Sequence, residues 1–157
     1  ENLSLRRFHR VATDAKVASY VHGVKIGVLV EYEGDESAGK DVAMHVAFAK
    51  PLYLSRAQVD PKLIDQERKI LDARAKESGK PADIVARMVE GGINKFIGEN
   101  TLLGQPFVKD DKQTVEKAMT ARKSKVRDFR FFVVGEGIEK KITDFAADVQ
   151  AQVGQAR

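Results

Sequence analysis

"AKVASYVHGVKIGVLVEY", residues 15–32, decides how the rest of this chain must fold. Ala15, Val17, Ser19 and Val21 alternate with Lys16, Ala18 and Tyr20, and after His22-Gly23 the apolar Val24, Ile26, Val28 and Val30 recur at every second position. Period two is the repeat of a β-strand, whose successive side chains point to opposite faces. Two such runs separated by a residue-Gly pair predict an antiparallel hairpin, because glycine accepts the positive φ that a tight turn demands. His22 is then expected at the tip, where an imidazole projects outward and adds nothing to a core.

Upstream, "LSLRRFHRV" (3–11) alternates loosely and carries three Arg, which reads as an edge strand. Downstream, "YEGDESAGK" (32–40) reads as a loop, and "DVAMHVAFAKP" (41–51), apolar on nearly every side, as a buried helix ended by Pro51. Asp60 and Pro61 supply an N-cap and a first-turn proline for a helix running to about Ser78. Leu63/Ile64 and Ile70/Leu71 mark its apolar side, and Asp65–Lys69 and Asp72–Lys76 are spaced to pair on its wet side. Gly79 and Pro81 stop that helix and start another, which carries Ile84, Val85, Met88, Val89, Ile93, Phe96 and Ile97 at helical spacing. Two amphipathic helices with so short a break make an αα-hairpin. Gly91-Gly92 costs about 1 kcal/mol per glycine relative to alanine there, so close packing or a kink is expected.

"TLLGQPFVKDDKQTV" (101–115) reads as a connector, with Pro106 holding Gln105 extended and Leu102, Leu103 and Phe107 anchoring the corner. A short helix from Thr114 to about Arg122 follows, then a strand, "VRDFRFFVV", with Phe129, Phe131 and Val133 on one face. A last helix, capped by Thr143 or Asp144, spaces Phe145, Val149 and Val153 four apart. Early strands, intervening helices and one late strand predict an α+β fold: an antiparallel sheet packed with helices, with a projecting antiparallel helical hairpin.

With 157 residues, 43% of them hydrophobic, the chain can bury a core without staples. It has no cysteine, which excludes disulfides, thiolate metal sites and cysteine nucleophiles and fits the cytoplasm. No apolar run approaches the ~18 residues of a membrane span, and "ENLSLRRFHR" is read as lacking a signal-peptide core. The first residue is Glu, so the chain is read as a fragment or processed piece. His9, His22 and His45 show no metal-ligand spacing, and His45 is expected as a satisfied core residue. "ESGKP" lacks the first glycine of a phosphate loop and is better read as a helix cap. Asp65, Glu67, Asp72 and Glu77 belong to a solvated helix face, and no Ser or Thr has a nucleophile's setting. An enzyme, a metal site and a cofactor are therefore not expected.

The net charge of +4 has one source, since Lys109 to Arg130 carries eight Lys/Arg against four Asp/Glu. Basic residues beside Phe129, Phe131 and Phe132 invite an RNA reading, but the strand phase sends Phe129 and Phe131 into the core. An RNA-contacting or oligomeric scaffold is accordingly the alternative to a protein-binding module, and nucleic acid is the less expected partner.

Four blocks then occur in order: "MHVAFAKPLYLSRAQVD", "ESGKPADIVARMVEGGINKF", "LLGQPFVKDDKQTVEKAM" and "FRFFVVGEGIEKKITDFAADV". With "SYVHGVKIGVLVEY" and "ENLSLRR", the chain resembles bacterial elongation factor Ts, the guanine-nucleotide exchange factor family of elongation factor Tu. The resemblance implies a sheet-bearing lobe (1–59 and 101–136), an inserted helical hairpin (60–100) and a C-terminal helical module (137–157). It implies elongation factor Tu, GDP-bound and nucleotide-free, as partner, with no membrane role. His22 and Gly23, with Tyr20 beside them, match the family's hairpin tip, which meets the partner's distal β-barrel domain. Phe145 and Val149 match the helix that leans on its nucleotide domain. The family's Thr-Asp-Phe-Val finger at the partner's magnesium site has no counterpart here, because Thr143-Asp144-Phe145 is followed by Ala146 in the C-terminal helix. Binding with poor exchange is expected. Gly92 stands where the family often has a long residue, which suggests a hairpin that is looser there or packs differently against a neighbour. The stripe of Ile84, Met88 and Phe96 is expected to be incompletely covered and able to support a homodimer.

Overall fold

The structure, a computed structural model, describes residues 5–137. In chain order its elements are β1 (Lys16–His22), β2 (Ile26–Glu33), α1 (Glu36–Ala49), a 3-10 turn (Arg56–Gln58), α2 (Pro61–Glu77), α3 (Ala82–Asn100), β3 (Pro106–Phe107), β4 (Asp110–Thr114), α4 (Val115–Ala121) and β5 (Lys125–Val133). The fold is α+β. β1 and β2 pair antiparallel from Lys16 opposite Tyr32 to His22 opposite Ile26. β5 returns antiparallel on the other side of β2, so the sheet order is β1-β2-β5 with β2 in the centre.

Alternation buries Ala18, Val28, Val30 and Tyr32 on one face of this sheet, and α1 covers them. The helix starts where the Asp35 carboxylate accepts the Ala38 N–H at 3.0 Å. Its buried rows, Ala38/Gly39, Val42/Ala43 and Val46/Ala47, recur every four residues, the spacing of one helix face. Gly39 lies against the Tyr32 ring so closely that a Cβ there would stand 2.5 Å from the ring carbons. Leu102, Phe107, Val115, Met119 and Val126 complete the core from the returning chain.

α2 and α3 pack chiefly on each other, around Ala75, Val85, Val89 and Leu71. The Asp60 side chain caps α2 through the Lys62 N–H at 2.9 Å, and Asp72–Lys76 closes at 2.6 Å. The adjacent glycines Gly91 and Gly92 of α3 differ in their surroundings. Gly91 has open space where a Cβ would go, whereas one on Gly92 would meet Leu71 Cδ1 at 2.7 Å. The hairpin is therefore close-packed at Gly92, not looser. At the base, Tyr53 pairs with Thr101 in parallel, and the Leu102 and Leu103 N–H groups donate to the Tyr53 and Leu54 carbonyls at 2.8 and 3.0 Å.

Four sequence expectations need correction. The N-terminal edge strand does not form in residues 5–13, which lack regular structure. That segment is attached by side chains instead: Arg6 donates to the Glu136 and Gly137 carbonyls at 2.5 and 3.0 Å, and the Arg7 guanidinium lies 5.1 Å from the Phe132 ring centre. The loop at 32–40 is shorter than expected, because β2 runs to Glu33 and the Asp35 cap begins α1 at Glu36. The 101–115 connector contains the small β3–β4 hairpin, in which Phe107 pairs with Asp110. At the long hairpin, His22 is not within the turn. It is the last paired residue of β1, and the turn is Gly23, Val24 and Lys25, with Gly23 at φ +56°.

The same substitution in two helices separates packing from propensity. Gly39→Ala should lower the unfolding free energy by about 1–3 kcal/mol, because the Tyr32 ring is held between helix and sheet. Gly91→Ala, with nothing to strike, should raise it by about 0.5–1 kcal/mol. Denaturant midpoints at unchanged slope check both.

Candidate functional site

The end of the β1–β2 hairpin carries an exposed imidazole on one face of the sheet and exposed apolar side chains at the turn and, with Val21, on the opposite face. Val21, Val24 and Val134 are 70%, 89% and 71% exposed. Val134 reaches the tip because its N–H donates to the Lys25 carbonyl at 2.7 Å, carrying β5's support past the last paired residue. His22 is exposed, and its Nδ1 lies 3.2 Å from the Tyr20 hydroxyl, with the two rings stacked at 6.2 Å. Tyr20 is half-buried and packs against the main core, so the hydroxyl is presented from a fixed ring. Gly23 has open space around it, which leaves the turn accessible. A shallow groove beside the tip is lined by Val21, Val24, Ile26 and Phe132, with Arg6 and Arg7 at its rim.

Of the residues singled out from sequence, the structure brings Tyr20, His22 and Gly23 together. Phe145 and Val149 lie outside the described residues. Ile84 and Met88 are exposed on α3, while Phe96 is half-buried on the same helix. Within the basic segment, Lys109 and Arg122 close on Asp41 at 2.5 and 2.7 Å, Arg127 bridges Asp14 and Glu33, and Arg130 pairs with Asp128 at 2.7 Å. Four of its eight cations are thus committed within the fold, which leaves less charge to offer a polyanion. Burial pushes the Asp41 carboxyl up, but its hydrogen bonds to Lys109 and Arg122 outweigh this and hold its pKa below the usual range. Among the described residues no cluster of His, Asp and Glu could hold a metal ion, and no helix is long and apolar enough to cross a membrane.

His45 is a core residue, as its place in an apolar helix suggested, with 1% of its surface exposed. The Val108 N–H can only donate, so Nδ1 accepts from it at 3.2 Å, and the ring proton sits on Nε2. That Nε2–H donates to Gln105 Oε1 at 3.0 Å, and the Gln105 amide passes a further bond to the Glu99 carbonyl at 2.8 Å. Above this chain lies an apolar groove of about 470 Å³, flanked by Phe48, Pro106, Phe107 and Val108.

The protein-family model described as Elongation factor TS matches residues 1–136. The chain belongs to the elongation factor Ts family. It is 59% identical to the elongation factor Ts of Chromobacterium violaceum over 151 residues, 96% of this chain and 52% of the relative. Against the elongation factor Ts of Cupriavidus necator it is 58% identical over 157 residues, all of this chain and 54% of that protein. For the elongation factor Ts of Nitrosospira multiformis the figures are 56% over 161 residues, all of this chain and 53% of the relative. The chain spans about half the length of the curated relatives it matches.

Sequence reasoning missed Phe48, which is 75% exposed in this elongation factor Ts chain. The signal was present: Phe48 and Met44 fall outside the rows Ala38/Gly39, Val42/Ala43 and Val46/Ala47.

His45 makes stability depend on pH. Its burial lowers its pKa, opposed in part by the Gln105 hydrogen bond, so the neutral ring is favoured in the folded state. In the unfolded chain the ring titrates near ~6.5, and the contribution is complete above that pH. It is lost as pH falls below that value toward the depressed folded pKa, where protonation also breaks the bond from Val108. Unfolding free energies at pH 7.5 and 5.5 should fall more steeply for the natural chain than for His45→Gln.

Proposed function

We propose that this chain is the partner-holding portion of a guanine-nucleotide exchange factor acting on elongation factor Tu in the cytoplasm. The observation that carries the reading is the hairpin tip. In a member of the elongation factor Ts family, the end of a paired β-hairpin exposes an imidazole on one face and valines at the turn and on the other, and exposed apolar side chains of this kind mark a protein-binding surface. His22, Gly23 and Tyr20 form one foothold, and Phe145 and Val149 in the C-terminal module (137–157) form the other. The lobe of 1–59 and 101–136 carries the tip, and the hairpin of 60–100 stands apart from it.

Exchange is a linkage effect. A factor that binds nucleotide-free elongation factor Tu more tightly than the GDP form must weaken GDP binding by the same ratio. No bond is made or broken and no cofactor is consumed. These 157 residues contain no Thr-Asp-Phe-Val segment, so on this reading the chain binds the GTPase but promotes its release of GDP poorly.

Mixing the chain with elongation factor Tu carrying fluorescent GDP, followed by gel filtration, should give a complex with slow nucleotide release. The elution volume of the chain alone reports any homodimer through Ile84 and Met88. Steep salt-dependent affinity for RNA with no complex on the GTPase would reject the proposal in favour of an RNA-contacting protein. His22→Ala should weaken the complex about 5- to 30-fold, the range of a residue worth about 1–2 kcal/mol at an interface. Its thermal midpoint should barely move, and a large stability loss with unaltered affinity would return His22 to a structural role.

A further inference from the structure

We infer that Tyr20 is the positioning residue of the tip: it locks the His22 ring with its proton on Nε2, so that the tip offers a donor and the partner must present an acceptor oxygen. The inference rests on the reading of the tip as the partner-holding surface, although its first test needs no partner. Residues two apart on a strand share a face, which brings both rings to the same side of β1. Tyr20 is anchored by packing against the core, so its hydroxyl has a set position. His22 is exposed, and among the described residues its polar contact is that hydroxyl, 3.2 Å from Nδ1.

In this pair the phenol is assigned as the donor. A phenol O–H is a good donor, and a neutral imidazole carries one bare nitrogen that accepts. With Nδ1 accepting from Tyr20, the proton of the neutral ring sits on Nε2, which has no hydrogen-bond partner among the described residues. The stacked rings, 28° apart, restrict the imidazole further. An exposed ring at the end of a strand would otherwise sample several rotamers and both tautomers, and ordering it would subtract from the binding free energy. Tyr20 does that ordering beforehand. The complementary atom on elongation factor Tu is then a carbonyl or carboxylate oxygen facing Nε2–H.

Long-range proton–nitrogen spectra of the imidazole, taken on the free 157-residue chain at about pH 8.5, above the range in which histidines ordinarily titrate, read the tautomer directly. The natural chain should show the Nε2–H pattern, and Tyr20→Phe, which keeps the ring and removes the hydroxyl, should show a mixture of both forms. An unchanged pattern in Tyr20→Phe overturns the inference. A double-mutant cycle against elongation factor Tu supplies the second readout. Tyr20→Phe should weaken binding about 2- to 10-fold, the worth of one hydrogen bond, and should have no effect when His22→Ala is already present. Equal losses in both backgrounds would show that Tyr20 acts without His22 and overturn the inference. Should His22→Ala alone leave binding intact, the partner-holding role of the tip fails, while the spectra still decide what Tyr20 does to the ring.

Discussion

The approach of the Gly39 backbone to the Tyr32 ring fixes how far α1 stands from the sheet, and most of the lobe depends on that distance. At this separation Val42 and Val46 join Val28 and Val30 in one core. The same helix then holds the returning chain with a second row of residues. Asp41 gathers Lys109 and Arg122, and one turn later His45 binds Gln105 and the Val108 backbone. Those ties seat Leu102, Phe107 and Val115 in the core and steer the chain through α4 into β5. Since β5 completes the sheet beside β2, the support under the hairpin tip traces back to a single helix–ring contact.

That support determines what kind of surface the tip is. Its imidazole stands on the last paired residue of a strand, not on a free loop, and Val134 braces the turn from the neighbouring strand. A surface built this way can meet a partner with little reordering, which favours a specific protein contact over an adaptable one. The partner-holding role proposed for this chain draws on such a rigid hold, whose strength can differ between two states of a bound GTPase.

Much of this was legible in the residues. The period-two runs around His22 gave β1 and β2, Asp60-Pro61 gave the start of α2, and the Phe129/Phe131 phase gave the buried side of β5, with Phe132 left to meet Arg7 on the other side. Failures came where long-range contacts override local pattern. The Arg-rich N-terminal run alternates like a strand, yet its guanidinium groups, not its backbone, make the attachments. β3 and β4 are too short for periodicity to show, and Phe107 and Asp110 pair because the chain turns back between them. The Gly91-Gly92 pair could be flagged but not divided, since only the approach of Leu71 distinguishes one glycine from the other. Phe48 was missed for a different reason: a helix read as starting at Asp41 leaves out Lys40, which lies eight residues earlier on the same outward side.

The stitched base of the helical arm carries a consequence for how the molecule tolerates change. The chain leaves the lobe at Tyr53 and re-enters at Thr101 through an isolated parallel bridge, backed by the Leu102 and Leu103 hydrogen bonds, so the ends of the excursion are tied to one another. For a flexible bridge of any length, joining fixed ends costs only about 0.6 kcal/mol more with each doubling. Whole turns could therefore be added to or deleted from the arm in matched pairs with the sheet beneath left undisturbed, although the parallel pairing of its ends still demands a crossover of about a dozen residues or more. Above that minimum the arm is a limb whose length is free to evolve apart from the body that bears it.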